Sequence, residues 1–167
     1  MRTKNPKTVA APLTSEGRLE VERGFEIAYR VYGSGSRTLV GLHGGPGVSS
    51  RYLTRLNEIR RQHPALQLLR NITIHWSDDD HVLVFSKKAQ LPDGTDDVVI
   101  TIINLDPHGT RETMIHLDME ALGLSWHDSF VAHDEITGED WSWHQHNYVR
   151  LDPGHEPAHV ISVRSPR

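Results

Sequence analysis

The chain has 167 residues, of which 37% are hydrophobic and 24% are charged, and its formal net charge at pH 7 is −4. This size suits one globular domain with or without a small appendage, and the mild acidity argues against a nucleic-acid-binding protein. Because there is no cysteine, disulfides, thiolate catalysis and cysteine-ligated metal sites are excluded.

The sequence also gives no sign of membrane insertion. No stretch approaches the roughly 18 consecutive apolar residues that a membrane span requires. The basic start, MRTKNPK, is not followed by the apolar run of a signal peptide. We therefore expect a cytoplasmic protein that has no membrane partner.

The first predicted elements are β-strands. Residues 1–14 are expected to be a loose N-terminal tail. The stretch RLEVERGFEIAYRVYG alternates apolar and polar residues on either side of Arg23-Gly24, which predicts a β-hairpin. Residues 38–43 then predict a short apolar strand that runs into a glycine-rich turn.

A helix is predicted at about 51–62, because Leu53, Leu56 and Ile59 follow helical spacing between charged residues. Pro64 limits its end. Beyond this helix the sequence predicts short strands at residues 72–76, 81–87, 98–103, 114–117, 130–133, 147–151 and 159–163. Short strands that follow one another closely without intervening helices predict an antiparallel β-sandwich.

The glycine-rich turn at 43–47, His-Gly-Gly-Pro-Gly, is typical of an oxyanion-hole loop, whose backbone N–H groups stabilise developing negative charge. In α/β-hydrolases this loop serves a serine within a Gly-x-Ser-x-Gly turn. Ser49 and Ser125 have a glycine two residues before them but none two residues after, and no other serine completes the pattern. The sequence therefore offers no nucleophile for this loop.

Residues 16–50 resemble the start of prolyl aminopeptidases, a family of α/β-hydrolases, through EGRLEVERGFEIAYRVYG and TLVGLHGGPG. The resemblance implies that Gly44 and Gly45 are an oxyanion-hole-like remnant. It supplies no catalytic residue, because the nucleophile turn, the catalytic acid, the catalytic histidine and the cap domain of that family have no counterpart here. A glycine-rich turn after an edge strand is the alternative interpretation.

From about Tyr52 onward the chain resembles the C-terminal domain of bacterial maltosyltransferases, which extend α-1,4-glucans from maltose-1-phosphate and belong to the α-amylase superfamily. The matching stretches are LTRLNEIRRQHPALQ, LRNITIHWSDDDHVLVFSK, DVVITIINLDPH, HDEITGEDWSW and NYVRLDPGHEPAHV. The resemblance implies a β-sandwich packed behind a catalytic (β/α)₈ barrel that carries the reacting carboxylates. Such a barrel needs ~250 residues, so the residues before Tyr52 cannot contain it.

Together the two resemblances imply a mainly β chain that joins two incomplete enzymes near residues 49–52. Residues 1–50 would be a hairpin and strand fragment of an α/β-hydrolase, and residues 51–167 an antiparallel β-sandwich with one leading helix.

The leading functional hypothesis is a non-catalytic accessory domain of a maltosyltransferase, inactive alone and without a cofactor. The alternatives are an inactive aminopeptidase-like fragment and a glucan-binding module, and α-glucan is the expected partner. Where the barrel would dock we expect an exposed apolar patch and self-association.

Two histidine patterns are candidate metal sites. Residues 155–159 spell the H-E-x-x-H motif of zinc peptidases, but Pro157 and the apolar run after it predict a turn and a strand instead of the required helix. In a strand, residues four apart lie about 13 Å from each other, too far to share one zinc ion. His144 and His146 would share one face of a strand but lack a third ligand. No metal site is therefore expected.

Trp141 and Trp143 are the candidate glucan contacts. Their alternation places both indoles on one side of a strand, where flat aromatic faces could stack on sugar rings. Packing within the core, or against the barrel, is the alternative interpretation.

Overall fold

A computed structural model of the chain describes residues 13–21, 25–36 and 51–164, and it divides into two compact units, Met1–Thr54 and Arg55–Arg167. In the first unit, β1 (Leu13–Val21) and β2 (Phe25–Tyr32) pair antiparallel. This pairing confirms the predicted hairpin. The strand predicted at 38–43 lies outside the described residues.

Helix α1 spans Arg51–Gln62, as the helical spacing of its leucines predicts, and a 3₁₀ turn follows at Pro64–Gln67. The strands that follow are β3 (Ile72–Ser77), β4 (Val82–Gln90), β5 (Asp96–Asn104), β6 (Arg111–His116), β7 (Phe130–Asp134), β8 (Asp140–Trp143), β9 (His146–Leu151) and β10 (Ala158–Arg164). A short helix, α2 (Met119–Leu122), connects β6 to β7. Among the described residues, no helix has the length and apolar character needed to cross a bilayer.

The strands of the second unit form one antiparallel sheet with the order β8-β7-β10-β5-β4-β3-β6-β9. Strand β3 divides this sheet, because Ile72–His75 pair with β4 whereas Trp76 and Ser77 pair with β6. Side chains from both parts meet in one core, for example Ile100 of β5 and Ile115 of β6. The sheet therefore folds over itself, and the predicted mainly β, antiparallel sandwich is confirmed.

Helix α1 packs on the outer face of this sheet. Ile59 is buried against Val99 of β5 and Val160 of β10 in a small cluster separate from the main core, and Leu66 of the 3₁₀ turn packs against it. Leu56, less than one turn earlier, is exposed. Within residues 55–62, the part of the helix whose side chains the structure describes, Ile59 is the apolar side chain buried at this contact.

The same contact contains charged groups that are buried or partly buried. Nδ1 of His63 lies 2.8 Å from Oδ1 of Asp97, and its Nε2 lies 3.4 Å from Oε1 of Glu135. Asp97 also accepts the backbone N–H of Ala65 at 2.8 Å, and Glu135 accepts the Ser162 hydroxyl at 2.8 Å. The end of α1 is therefore linked to β5, β10 and the residue after β7.

These hydrogen bonds shift the pKa values of their partners in opposite directions. Burial alone would lower the pKa of His63, but its hydrogen bonds with Asp97 and Glu135 outweigh burial and raise the pKa from 6.5 to about 9. The hydrogen bond from His63 is also the main reason that the pKa of Glu135 falls from 4.5 to about 2. His63 is therefore a cation at neutral pH. Both shifts reflect one interaction, so its energy counts once.

Replacing Ile59 with alanine should lower the free energy of unfolding by about 2–4 kcal/mol, because it removes buried methyl groups and leaves a cavity between α1 and the sheet. Urea denaturation monitored by tryptophan fluorescence measures the loss. Leu56→Ala in the same helix is the matched control, and it should cost much less because Leu56 is exposed. Equal losses for both variants would contradict the described packing of α1.

The stabilisation by His63 should depend on pH. Its folded-state pKa is raised, so the stabilisation is complete below 6.5, declines as the pH rises from 6.5 to about 9, and amounts to roughly 3 kcal/mol. His63→Gln should remove this decline when urea denaturation is compared at several pH values across that window. His127→Gln, at an exposed histidine, should keep it. A His63→Gln variant with an unchanged pH profile would refute the assignment.

Candidate functional site

The two tryptophans predicted as glucan contacts lie on β8. Trp143 is 7% exposed and belongs to the main core, where its ring meets that of Phe130 edge-on with centroids 6.5 Å apart. The Trp141 indole is partly buried and stacks on Trp143 at 6.2 Å. Both indoles therefore lie on one side of the strand, and this side faces the core. A glucan contact at Trp141 and Trp143 stays a prediction. Because Trp143 is buried, little of its ring would be accessible to a sugar.

Gly44 and Gly45 lie outside the described residues, so the oxyanion-hole-like remnant stays a prediction. The same holds for the resemblance of residues 16–50 to prolyl aminopeptidases and for the domain boundary between residues 50 and 51.

The H-E-x-x-H stretch forms a turn that leads into β10, as Pro157 predicts. Nδ1 of His159 lies 3.0 Å from Oδ2 of Asp134 and 3.5 Å from Oε1 of Glu156. These three residues offer ligand atoms within 4.8 Å of one another, but His155, the first histidine of the motif, is not among them. The zinc-peptidase arrangement is therefore absent from this stretch, and the buried hydrogen bond between His159 and Asp134 links β10 to the end of β7.

His146 pairs across the sheet instead of with His144. Its Nδ1 lies 2.6 Å from Nδ1 of His116, and Nε2 of His116 lies 2.9 Å from Oδ1 of Asp78. His144 lies between β8 and β9, where its backbone N–H donates to the Asn147 side chain at 3.0 Å. The hydrogen-bonded row of side chains Asp78–His116–His146 thus spans three segments, and residue spacing alone could not have identified it.

A polar groove opens beside this hydrogen-bonded row of side chains. It is lined by Asp78, Asp79, Asp80, His81, Arg111, Glu112, Thr113 and Met114. The Asp-rich turn between β3 and β4 forms one side of it, and β6 forms the other. The groove therefore presents carboxylates, a histidine and a guanidinium to solvent.

Arg111, at one end of the groove, forms ion pairs with two carboxylates. Its guanidinium lies 2.5 Å from Oδ2 of Asp106 and 3.5 Å from Oδ2 of Asp79. The pKa of Asp106 falls to about 2, first because the backbone N–H of His108 donates to it and then because Arg111 does. The N–H of His81 likewise lowers the pKa of Asp79. These carboxylates are therefore ionised at neutral pH and are partly neutralised by one arginine.

The sequence of this chain is similar to those of known proteins. The family model described as "GLGE, C-terminal" matches residues 74–163, which is more than half of the chain. The alpha-1,4-glucan:maltose-1-phosphate maltosyltransferase 2 of Streptomyces coelicolor is 53% identical over 114 residues, covering 68% of this chain and 16% of that protein. The corresponding maltosyltransferase of Mycolicibacterium smegmatis is 48% identical over 112 residues, covering 67% of this chain and 16% of that protein.

A more distant relative, the maltosyltransferase of Bifidobacterium animalis, is 33% identical over 144 residues, covering 84% of this chain and 18% of that protein. The chain thus spans about one sixth of the length of these relatives. The region matched by the family model runs from β3 to β10 and includes the polar groove, the His116–His146 pair and Glu135. The chain belongs to the GLGE C-terminal family.

Proposed function

We propose that the sandwich and its leading helix, residues 51–164, are the non-catalytic C-terminal accessory domain of a maltosyltransferase that extends α-1,4-glucan from maltose-1-phosphate. The observation that carries the proposal is the 53% identity over 114 residues to the Streptomyces coelicolor enzyme. The chain covers 16% of that relative. Under this proposal, the chemistry belongs to the remaining part of such an enzyme.

The state of the carboxylates supports a non-catalytic role. Glycosyl transfer of the α-amylase type needs one carboxylate as nucleophile and a second whose pKa is raised, so that it can donate a proton. The pKa values of Glu135, Asp79 and Asp106 are all lowered. Glu135 and Asp134 are also buried and bonded to histidines. The lowered pKa values of Glu135, Asp79 and Asp106 therefore do not suit a general acid.

An exposed apolar strip, Leu68, Leu69, Ile72 and Ile74, supports a role next to a larger partner. Leu69 is 92% exposed and Ile74 is 61% exposed. Exposed large apolar side chains that lie close together mark interaction surfaces. The strip directly follows α1 and the 3₁₀ turn in the chain, so we assign it to contact with the catalytic part of the enzyme. Self-association through the strip is the alternative for the chain by itself.

A hybrid enzyme tests the proposed function. The segment of Streptomyces coelicolor maltosyltransferase 2 that matches this chain is replaced by the corresponding residues of this chain. Maltosyl transfer from maltose-1-phosphate should stay within about tenfold of the parent enzyme, which corresponds to ~1.4 kcal/mol in barrier height. The 167-residue chain alone should release no phosphate from maltose-1-phosphate.

The parent enzyme with the same segment deleted is the control, and it should lose activity. A hybrid no more active than this deletion would refute the proposal, and so would transfer by the isolated chain.

The apolar strip can be tested in the same hybrid. Ile74→Asp should lower its melting temperature, because a carboxylate at a buried apolar contact costs about 1–3 kcal/mol or more. Ile136→Asp is the matched control, because Ile136 is also exposed but lies between β7 and β8. Neither change should much affect the isolated chain. Equal effects of the two changes on the hybrid would show that the strip is not the contact.

A further inference from the structure

Exposed aromatic rings lie on one face of the β3–β6–β9 part of the sheet. Trp76 is 68% exposed and Tyr148 is 58% exposed. In the strand register, Trp76 lies opposite His116 and His116 opposite His146, while Met114 lies opposite Tyr148. Opposite partners and alternate residues of a strand share a face. These five side chains therefore form one surface, which we call the aromatic face.

The aromatic face has a rigid support. On the other side of the same strands, Ile115 and Val149 are buried in the main core. Both rings stand on paired strands and not in loops, so their positions are fixed by backbone hydrogen bonds. A tryptophan and a tyrosine held open to solvent on such a support mark a binding surface more strongly than scattered apolar residues do.

Hydrogen-bonding groups surround the rings. Glu112 and Arg150 lie opposite each other on the same face, with Arg150 Nε 2.9 Å from Glu112 Oε1. Asp78 bonds to His116 at 2.9 Å, and Glu112 and Met114 also line the polar groove. An ionised carboxylate has about four acceptor positions and a guanidinium has five N–H donors. These pairs therefore keep free positions for the hydroxyl groups of a ligand.

This mixture distinguishes the aromatic face from the apolar strip. A dry protein contact would bury Asp78, Glu112 and Arg150 and would have to compensate their lost hydration. A sugar chain would replace the lost hydration of these groups. Its C–H faces stack on aromatic rings, and its hydroxyl edges bond to carboxylates, imidazoles and guanidinium groups. The alternation of rings and polar groups matches a ligand that is itself apolar on its faces and polar on its edges.

We propose that the aromatic face is a binding site for α-1,4-linked glucan chains, in which Trp76 and Tyr148 stack on sugar rings and the groove residues Asp78 and Glu112 accept hydrogen bonds from hydroxyl groups. The choice of glucan rests on the proposed function, because it is the polymer that a maltosyltransferase extends. The site differs from the contact predicted at Trp141 and Trp143, whose side of β8 faces the core.

Binding of maltoheptaose to the full 167-residue chain, measured by calorimetry, tests the site. The wild-type chain should bind, Trp76→Ala should weaken binding about tenfold, and the double variant Trp76→Ala, Tyr148→Ala should show no measurable binding. Trp126→Ala is the matched control: Trp126 is also exposed, at 55%, but lies in the loop between α2 and β7, and its loss should leave binding unchanged. Cellohexaose, a β-1,4-linked chain, should bind more weakly than maltoheptaose.

Several results would overturn the site. These are no binding by the wild-type chain, equal binding by the wild type and the double variant, or a dimer that the double variant abolishes without any glucan binding. Because both side chains are exposed, urea denaturation should show that the variants fold normally. The hybrid enzyme separates this inference from the proposed function: transfer by the hybrid without maltoheptaose binding would refute only the aromatic face.

Discussion

The leading helix is linked to the sandwich by one part-buried cation, His63, held between the carboxylates of Asp97 and Glu135. Such a group is tolerated in an interior only when every partner is present, because a lone buried charge costs several kcal/mol. Glu135 satisfies its remaining capacity with the Ser162 hydroxyl and with Arg164 at 3.2 Å. His63 directly follows α1 and Glu135 directly follows β7, while the other partners lie on β5 and β10. A shift of any of these elements would therefore break part of the network. The network therefore specifies a single arrangement of the leading helix.

That arrangement decides which parts of the outer sheet face are covered. Through Ile59, helix α1 covers Val99 and Val160, whereas Ile72 and Ile74 of β3 are exposed in the part of the chain that the structure describes. Along β3 the exposed side chains then change in character, from Ile72 and Ile74 beside β4 to Trp76 beside β6. The change coincides with the point at which the strand passes from one part of the sheet to the other. One strand thus carries both the apolar strip and the edge of the aromatic face.

The sequence predicted the elements well where a periodic pattern ran for long enough. The spacing of Leu53, Leu56 and Ile59 predicted α1 and Pro64 its end. Pro157 correctly excluded a helix in the H-E-x-x-H stretch. Helix α2 has four residues, too few to show a period, and strand β8 was indicated only by the alternation of Trp141 and Trp143. The partners of His63 and His146 could not be found, because they come from strands distant in sequence whose neighbours depend on sheet order. For the same reason, the sequence did not reveal that Trp76 and Tyr148 share one face of the sheet.

Under the two proposals, the placement of both surfaces on β3 would give the domain a specific physical role. If the apolar strip holds the catalytic part of the enzyme, the aromatic face stands at a fixed distance and orientation from it, with no hinge between them. A glucan bound there would raise the effective concentration of its own chain end near the catalytic part. Binding energy from such a remote contact is the same in the ground and transition states, so it lowers KM without raising kcat. The domain would then favour long acceptor chains over short ones, because only a long chain can occupy both places at once.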